Sequence, residues 1–356
     1  MSLSDPRLAW SVVLAPRRPE GEPPPWPELV SRVLGKVSLP AVDPVTHVLR
    51  GPFPVATIHR GRAASGVRHL LSGTGPSVAL TVVDREDGEV EGHLRLERMR
   101  ARLAATLLGL DVPKAGESTE LEATPERLGA LLREQFEADD AWEVLGLVEV
   151  AAVLSEGVPE DLPSAEGYQD FGDLRLARAV GVGGGHVAFL ATGFHTKPTE
   201  RHVMERRLDV MGAGYMETVP PLAEFGAHAL AWGAAAATGL RLSQALAGVI
   251  GDVRLAASWA VSGGPLEGGE PDFDRLAARL EVLRVRLKEV VGRLRRGRAA
   301  LVTSAERLVG DGIAVPPSSP LTEASSRAAR LADRLAEEEE LGGRWAEALS
   351  VARRSR

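Results

Sequence analysis

Phe273–Leu308 reads FDRLAARLEVLRVRLKEVVGRLRRGRAALVTSAERL. Within it Phe273, Leu276, Leu280, Leu283, Leu287, Val290 and Leu294 recur at alternating three- and four-residue steps, and Leu301 and Leu308 keep the phase. A helix with that spacing gathers its apolar side chains on one seam, which is stable only when packed against other helices. The stretch therefore sets the architecture of roughly the last two fifths of the chain: a packing module of long helices.

Working upstream from the seam, Gly263-Gly264-Pro265 and the glycine-rich run to Pro271 separate it from an Ala-rich helical stretch, Leu222–Val261. Thr199 is placed to cap a further helix carrying Met204, Leu208, Met211 and Tyr215, stopped near Pro220-Pro221. Downstream, Gly310–Pro320 ends the seam helix, and Leu321-Thr322-Glu323 opens a last one with Leu331, Leu335, Trp345 and Leu349. Glu337–Glu340 with Gly342-Gly343 is expected to break or fray it. Short loops between long helices imply antiparallel neighbours.

Before Lys197-Pro198 the pattern is mixed. Leu8–Leu14, Val55–Ile58, Val78–Val83 and Leu145–Leu154 read as strands, and Leu174–Val180 with Val187–Thr192 as a hairpin around Gly181–Gly185. Glu28–Val37, Leu94–Leu108 and a segment from Thr124-Pro125 through Phe136 have helical spacing and starts, and Ala63–Leu71 reads as a short helix. The expected fold is α+β: a mixed or antiparallel head over 1–198, then a bundle of long antiparallel helices over 199–356.

Composition narrows the function. There are 356 residues, no cysteine and a net charge of −7. Disulfides, thiolate catalysis and thiolate metal sites are excluded, and general nucleic-acid binding is disfavoured. Met1–Arg18 has Asp5 and Pro6 before only a short apolar run and does not read as a signal peptide, so the expected location is cytoplasmic. Arginine far outnumbers the four lysines and asparagine is absent, a usage expected of a high-GC bacterial genome.

Charge is segregated. Pro44–Val83 holds no acid while carrying Arg50, Arg60, Arg62, Arg68, His47, His59 and His69; Ala115–Leu174 holds sixteen Asp and Glu against Arg127 and Arg133. Arginine forks suit phosphate and carboxylate, which makes Arg60, Arg62, Arg68 and His69 the candidate anion-binding set. The competing reading is a solvated face paired with the acidic segment.

Other constellations are weaker. Gly181–Gly185 lacks the dinucleotide fingerprint, since His186 stands where its last glycine belongs. No phosphate-loop, calcium-loop or nucleophile-elbow motif occurs, and the eight histidines have no zinc-ligand spacing. No metal and no cofactor are therefore expected. Gly193–Lys197 with Arg201, His202 and Glu205 is a polar cluster in which His202 and Glu205 would share a helix face. Phe225–Gly251 holds one charge, Arg241, and is long enough to span a bilayer; its Ala and Gly content and central arginine favour a buried bundle helix instead.

Abundant packing surface beside absent catalytic grammar points to a non-enzymatic scaffold, adaptor or regulatory component. Its partner, or a second copy, is expected on the C-terminal helices through Leu283, Leu287 and Leu294. The alternatives are an anion- or nucleotide-binding sensor or enzyme using the head, and a membrane-acting effector using 225–251.

Overall fold

The structure, a computed structural model, describes residues 3–16, 26–37, 39, 44–47, 56–62, 67–74, 77–85, 92–111, 125–138, 142–156, 169–171, 174–181, 186–195, 221–262, 271–310 and 320–354. The chain forms two compact units, Met1–Ala231 with Thr303–Ser319 and Trp232–Val302 with Pro320–Arg356. The expected change of architecture at Pro198–Thr199 lies outside the described residues, as do the proposed helix with Met204 and Tyr215 and the pair His202 and Glu205.

The first unit is built on one mixed sheet. Its described strands are β1 (Leu3–Pro16), β2 (Pro44–His47), β3 (Ala56–Arg62), β4 (Arg68–Thr74), β5 (Ser77–Arg85), β6 (Trp142–Glu156), β7 (Gln169–Phe171), β8 (Leu174–Gly181) and β9 (His186–His195). They lie in the order β2-β3-β4-β5-β1-β6-β9-β8-β7. All neighbours are antiparallel except β6 and β9, which run parallel.

β1 is central because both of its faces are apolar or satisfied. Leu8, Trp10, Val12 and Leu14 point one way and Ala9, Ser11 and Val13 the other, and all seven are fully buried. On the second face the Ser11 and Thr81 hydroxyls share a 2.7 Å hydrogen bond, which satisfies two buried polar groups.

The first face carries the core. Helices α1 (Trp26–Lys36), α2 (Gly92–Leu108) and α3 (Pro125–Glu137) bring Val33, Leu34, Met99, Leu103, Leu107, Leu128, Leu132 and Phe136 onto it. α2 ends where Gly109 takes φ 66° and Leu110 N–H bonds the Ala105 carbonyl at 2.9 Å, a Schellman close that a side chain at 109 would strain. In β6 a register shift opposes Gly146 to Val13 and Val144 to Leu14, leaving Leu145 over. The shift changes the parity of the strand. Trp142 and Val144 enter the core before it, Leu147 and Ala151 after it.

One expected element is corrected. Ala63–Leu71 does not form a short helix; Arg68–Leu71 belong to β4, hairpin partner of β3. Alternation explains it: Val67, His69 and Leu71 are buried while Arg68 is exposed, the period of two that a half-buried strand requires.

The second unit is a bundle of the long helices α4 (Pro221–Ser262, from Trp232), α5 (Phe273–Gly310, to Val302) and α6 (Pro320–Arg354). Asp272 Oδ1 caps α5 by accepting Arg275 N–H at 2.9 Å. α4 and α5 are antiparallel: Trp232 stands at Gly297, Gly239 at Val290 and Leu294, and Trp259 lies 6.3 Å from Phe273. α6 reverses again, with Arg284 at Gly342 and Arg353 bonded to Asp274 at 2.7 Å. The seam predicted from sequence is the bundle core: Leu280, Leu287, Val290, Leu294 and Leu301 are buried, and Phe273, Leu276 and Leu283 pack partly buried against it.

A second correction concerns α6, which runs unbroken through Glu337–Gly343. Arg284 occupies the space that side chains at 342 and 343 would fill: a Cβ at Gly342 would sit 3.1 Å from its Cγ and one at Gly343 3.3 Å from its Nη2. Its Nη2 donates to Glu339 Oε1 at 3.1 Å. The two glycines form a saddle for this arginine, and packing overrides their low helix propensity.

Candidate functional site

The sheet's core face carries an unusual polar row. Across β4, β5, β1 and β6, His69 stands opposite Val82, Val82 opposite Trp10, and Trp10 opposite Glu149. Glu149 reaches this face because the β6 bulge shifts the strand's parity. It is buried, and α2 brings Arg100 to it: Arg100 Nη2 donates to Oε1 at 2.6 Å and Nε to Oε2 at 3.3 Å. Trp10 Nε1 donates to Oε2 at 2.7 Å. Arg100 Nη1 also donates to the exposed Glu97 at 3.1 Å.

Burial pulls the Arg100 pKa down, but the hydrogen bond and charge of Glu149, with those of Glu97, outweigh it and hold the guanidinium above its ordinary value. A second ion pair flanks the first: buried Asp84 on β5 meets Arg102 Nε at 3.4 Å. Glu149 already accepts three donors, so it has little capacity left for a substrate proton. The geometry is that of a strut pinning α2 to β1 and β6.

The sequence-predicted anion set divides between the two faces of the sheet. The β3–β4 register sets Arg60 opposite Leu70, Gly61 opposite His69 and Arg62 opposite Arg68. Arg60, Arg62 and Arg68 thus occupy positions of one face, and His69 one of the other. Arg68 is exposed and His69 buried; the side chains of Arg60 and Arg62 are outside the described part of the structure.

Of the partner set, Leu287 and Leu294 are enclosed in the bundle core and Leu283 is partly exposed. Leu283 also lines an open groove of about 580 Å³ between α4 and α5. Gln244, Ala245, Gly248 and Asp252 form its α4 side and Ala278, Arg279 and Val282 its α5 side, with Asp252 3.9 Å from Arg279 across it. The groove is mainly apolar, with Val282 half exposed. Among the described residues no group of three or more His, Asp and Glu could hold a metal ion, and no described helix is long and apolar enough to cross a membrane.

Sequence reasoning missed Glu149. Its signal was present, as the one charge inside the apolar run Leu145–Leu154, where a strand buried on both faces must pair any carboxylate. Its partner could not be picked out, because Arg98, Arg100 and Arg102 share one helix and only the three-dimensional packing distinguishes them.

No protein-family model, curated protein or solved structure matches this chain.

Proposed function

We propose that the chain is a non-enzymatic scaffold, adaptor or regulatory component of a bacterial assembly, acting through its helical bundle. The observation that carries this reading is the α4–α5 groove. It is open and mainly apolar, and its polar lining is Gln244 with the exposed Asp252–Arg279 pair, an apolar centre with a polar rim of the kind that protein partners cover. The buried carboxylates of the head support it as well, since Glu149 is engaged by Arg100 and Asp84 by Arg102.

A second reading, an anion-binding sensor, draws on the register that gives Arg60, Arg62 and Arg68 positions on one sheet face. The size of the particle formed in cell extract separates the two. Tagged full-length chain carrying Val282→Glu should run as a smaller species than wild type, while the Arg60→Ala, Arg62→Ala double variant runs unchanged. An unchanged V282E particle, together with a phosphate-dependent rise in Tm that the arginine variant abolishes, would replace the adaptor reading with the sensor.

A further inference from the structure

The outward face of α4 has a composition the fold does not explain. Ala237, Leu240, Gln244, Gly248, Gly251 and Leu255 lie along it and all are exposed, Leu240 to 42% and Leu255 to 61%. The charges beside this line are Arg241, which donates to Thr238 Oγ1 at 3.4 Å, Asp252, which stands 3.9 Å from Arg279, and Arg254, which lies over the Trp345 ring at 4.9 Å. Solvent-facing helix surfaces are ordinarily charged.

The glycines sharpen the point. A Cβ at Gly239 would lie 2.6 Å from Leu335 Cδ1, and one at Gly297 3.2 Å from Trp232 Cδ1, so packing within the bundle explains both. A Cβ at Gly248 or Gly251 meets nothing within 4 Å, as at Gly233 earlier on the same helix. Glycine weakens a helix relative to alanine, and nothing within the fold requires it at these two positions. Close approach of another backbone does require it.

We propose that a second copy of this chain covers this face, with the two α4 helices antiparallel about a two-fold axis at the level of Leu246. The inference rests on the bundle-mediated assembly proposed above and names one partner for it. The sequence is self-complementary in that register. Leu255 of one copy falls opposite Ala237 of the other, Gln244 opposite Gly248, and Arg241 opposite Gly251 with Asp252 one residue on, so Leu255 meets a small residue and Arg241 lies beside an opposite charge, each twice.

α5 cannot serve the same way. Its exposed Arg286, Lys288, Arg295, Arg296 and Arg298 outnumber the exposed Glu281 and Glu289 beside them, so a two-fold contact along it would leave most of its basic residues facing one another. The α4 face is roughly 20 residues long, about 30 Å at 1.5 Å per residue. Such a strip puts the contact at the low end of specific interfaces, at roughly 1,000 Å² in total, which fits a reversible dimer with a micromolar Kd.

Sedimentation equilibrium of the purified full chain over a concentration series tests this. Wild type should show a monomer–dimer equilibrium. Arg241→Glu and Asp252→Arg should each raise Kd by about tenfold or more, and the double reversal should return it to near the wild-type value. Gly248→Gln with Gly251→Gln favours the isolated helix while filling the contact, so it should abolish the dimer with helicity and Tm maintained. Because the chain has no cysteine, Ala247→Cys should cross-link to itself on oxidation, whereas Leu255→Cys, far from the axis, should not.

A chain monomeric at every concentration overturns the proposal. So does a dimer that the charge reversals and glutamines leave untouched, or cross-linking through Leu255→Cys in place of Ala247→Cys. A purified monomer whose V282E variant still loses the large particle in extract sinks the dimer and leaves the adaptor reading standing.

Discussion

Removing the Glu149 carboxylate should cost more than removing it together with its partner. In Glu149→Leu the indole N–H of the fully buried Trp10 loses its 2.7 Å acceptor, a desolvation loss of about 2 kcal/mol. The Arg100 guanidinium keeps contact with water at 27% exposure and still has Glu97 at 3.1 Å, so its share is held to about 1 kcal/mol. The total is about 3 kcal/mol. In Arg100→Met the buried carboxylate retains only Trp10 among these donors, and breaking a buried pair from one side costs about 3 kcal/mol. The double variant leaves the indole alone unsatisfied, so its loss should be about 2 kcal/mol, and the coupling energy about 4 kcal/mol. Amide hydrogen exchange in β1 and β6 reads this directly, because it reports the opening of the sheet separately from the bundle. Single losses that simply add, with coupling below about 0.5 kcal/mol, would mean that the groups are solvated and that no strut exists.

Other consequences follow from the same geometry. The raised pKa of Arg100 means that its stabilising charge is fully present below its unfolded value and is lost only as pH rises through the higher folded one; hydrogen exchange should therefore show no loss from Arg100 across the neutral and mildly alkaline range. Leu287→Ala, at a fully buried seam position, should destabilise the bundle by about 2–5 kcal/mol in denaturant unfolding followed by circular dichroism. Gly239→Ala pushes a methyl to 2.6 Å from Leu335 Cδ1 and should lower bundle stability by about 1–2 kcal/mol, net of the helix gain. Arg60→Ala with Arg62→Ala should leave Tm unchanged in the presence of phosphate; a bound anion at a hundredfold excess over Kd would add about 2.7 kcal/mol to the wild type and nothing to the variant.

Periodicity made most of the fold legible. The seam from Phe273 to Leu294 lies in the bundle core, and the apolar runs at Leu8–Leu14, Val78–Val83 and Leu145–Leu154 are strands β1, β5 and β6. Each is long enough that its period of 3.6 or 2 outweighs local composition. The errors lie where composition spoke louder than period. Ala63–Leu71 reads as a short helix in sequence, yet Val67, His69 and Leu71 alternate inward. Gly342-Gly343 looked like a helix stop because their partner, Arg284, is 58 positions from Gly342 in the chain, and no local rule reaches that far. The strut was hidden for the same reason. Trp10, Arg100 and Glu149 come from three separate elements, and their convergence depends on the β6 bulge, which period-two reading steps over.

Glycine in a helix therefore carries two meanings here, and only the structure tells them apart. At Gly239, Gly297 and Gly342 a neighbouring side chain within the bundle occupies the space a Cβ would take, and the loss of helix propensity is offset by close packing. At Gly248 and Gly251 that space is open, so the same loss has no return within one copy of the chain. A face that keeps two such glycines, exposes Leu240 and Leu255, and sets Arg241 and Asp252 on opposite sides of its midpoint has features that intramolecular packing cannot supply. The antiparallel contact proposed above would account for them together: the glycines admit the backbone, Leu255 finds Ala237 opposite, and Arg241 and Asp252 neutralise one another across the axis.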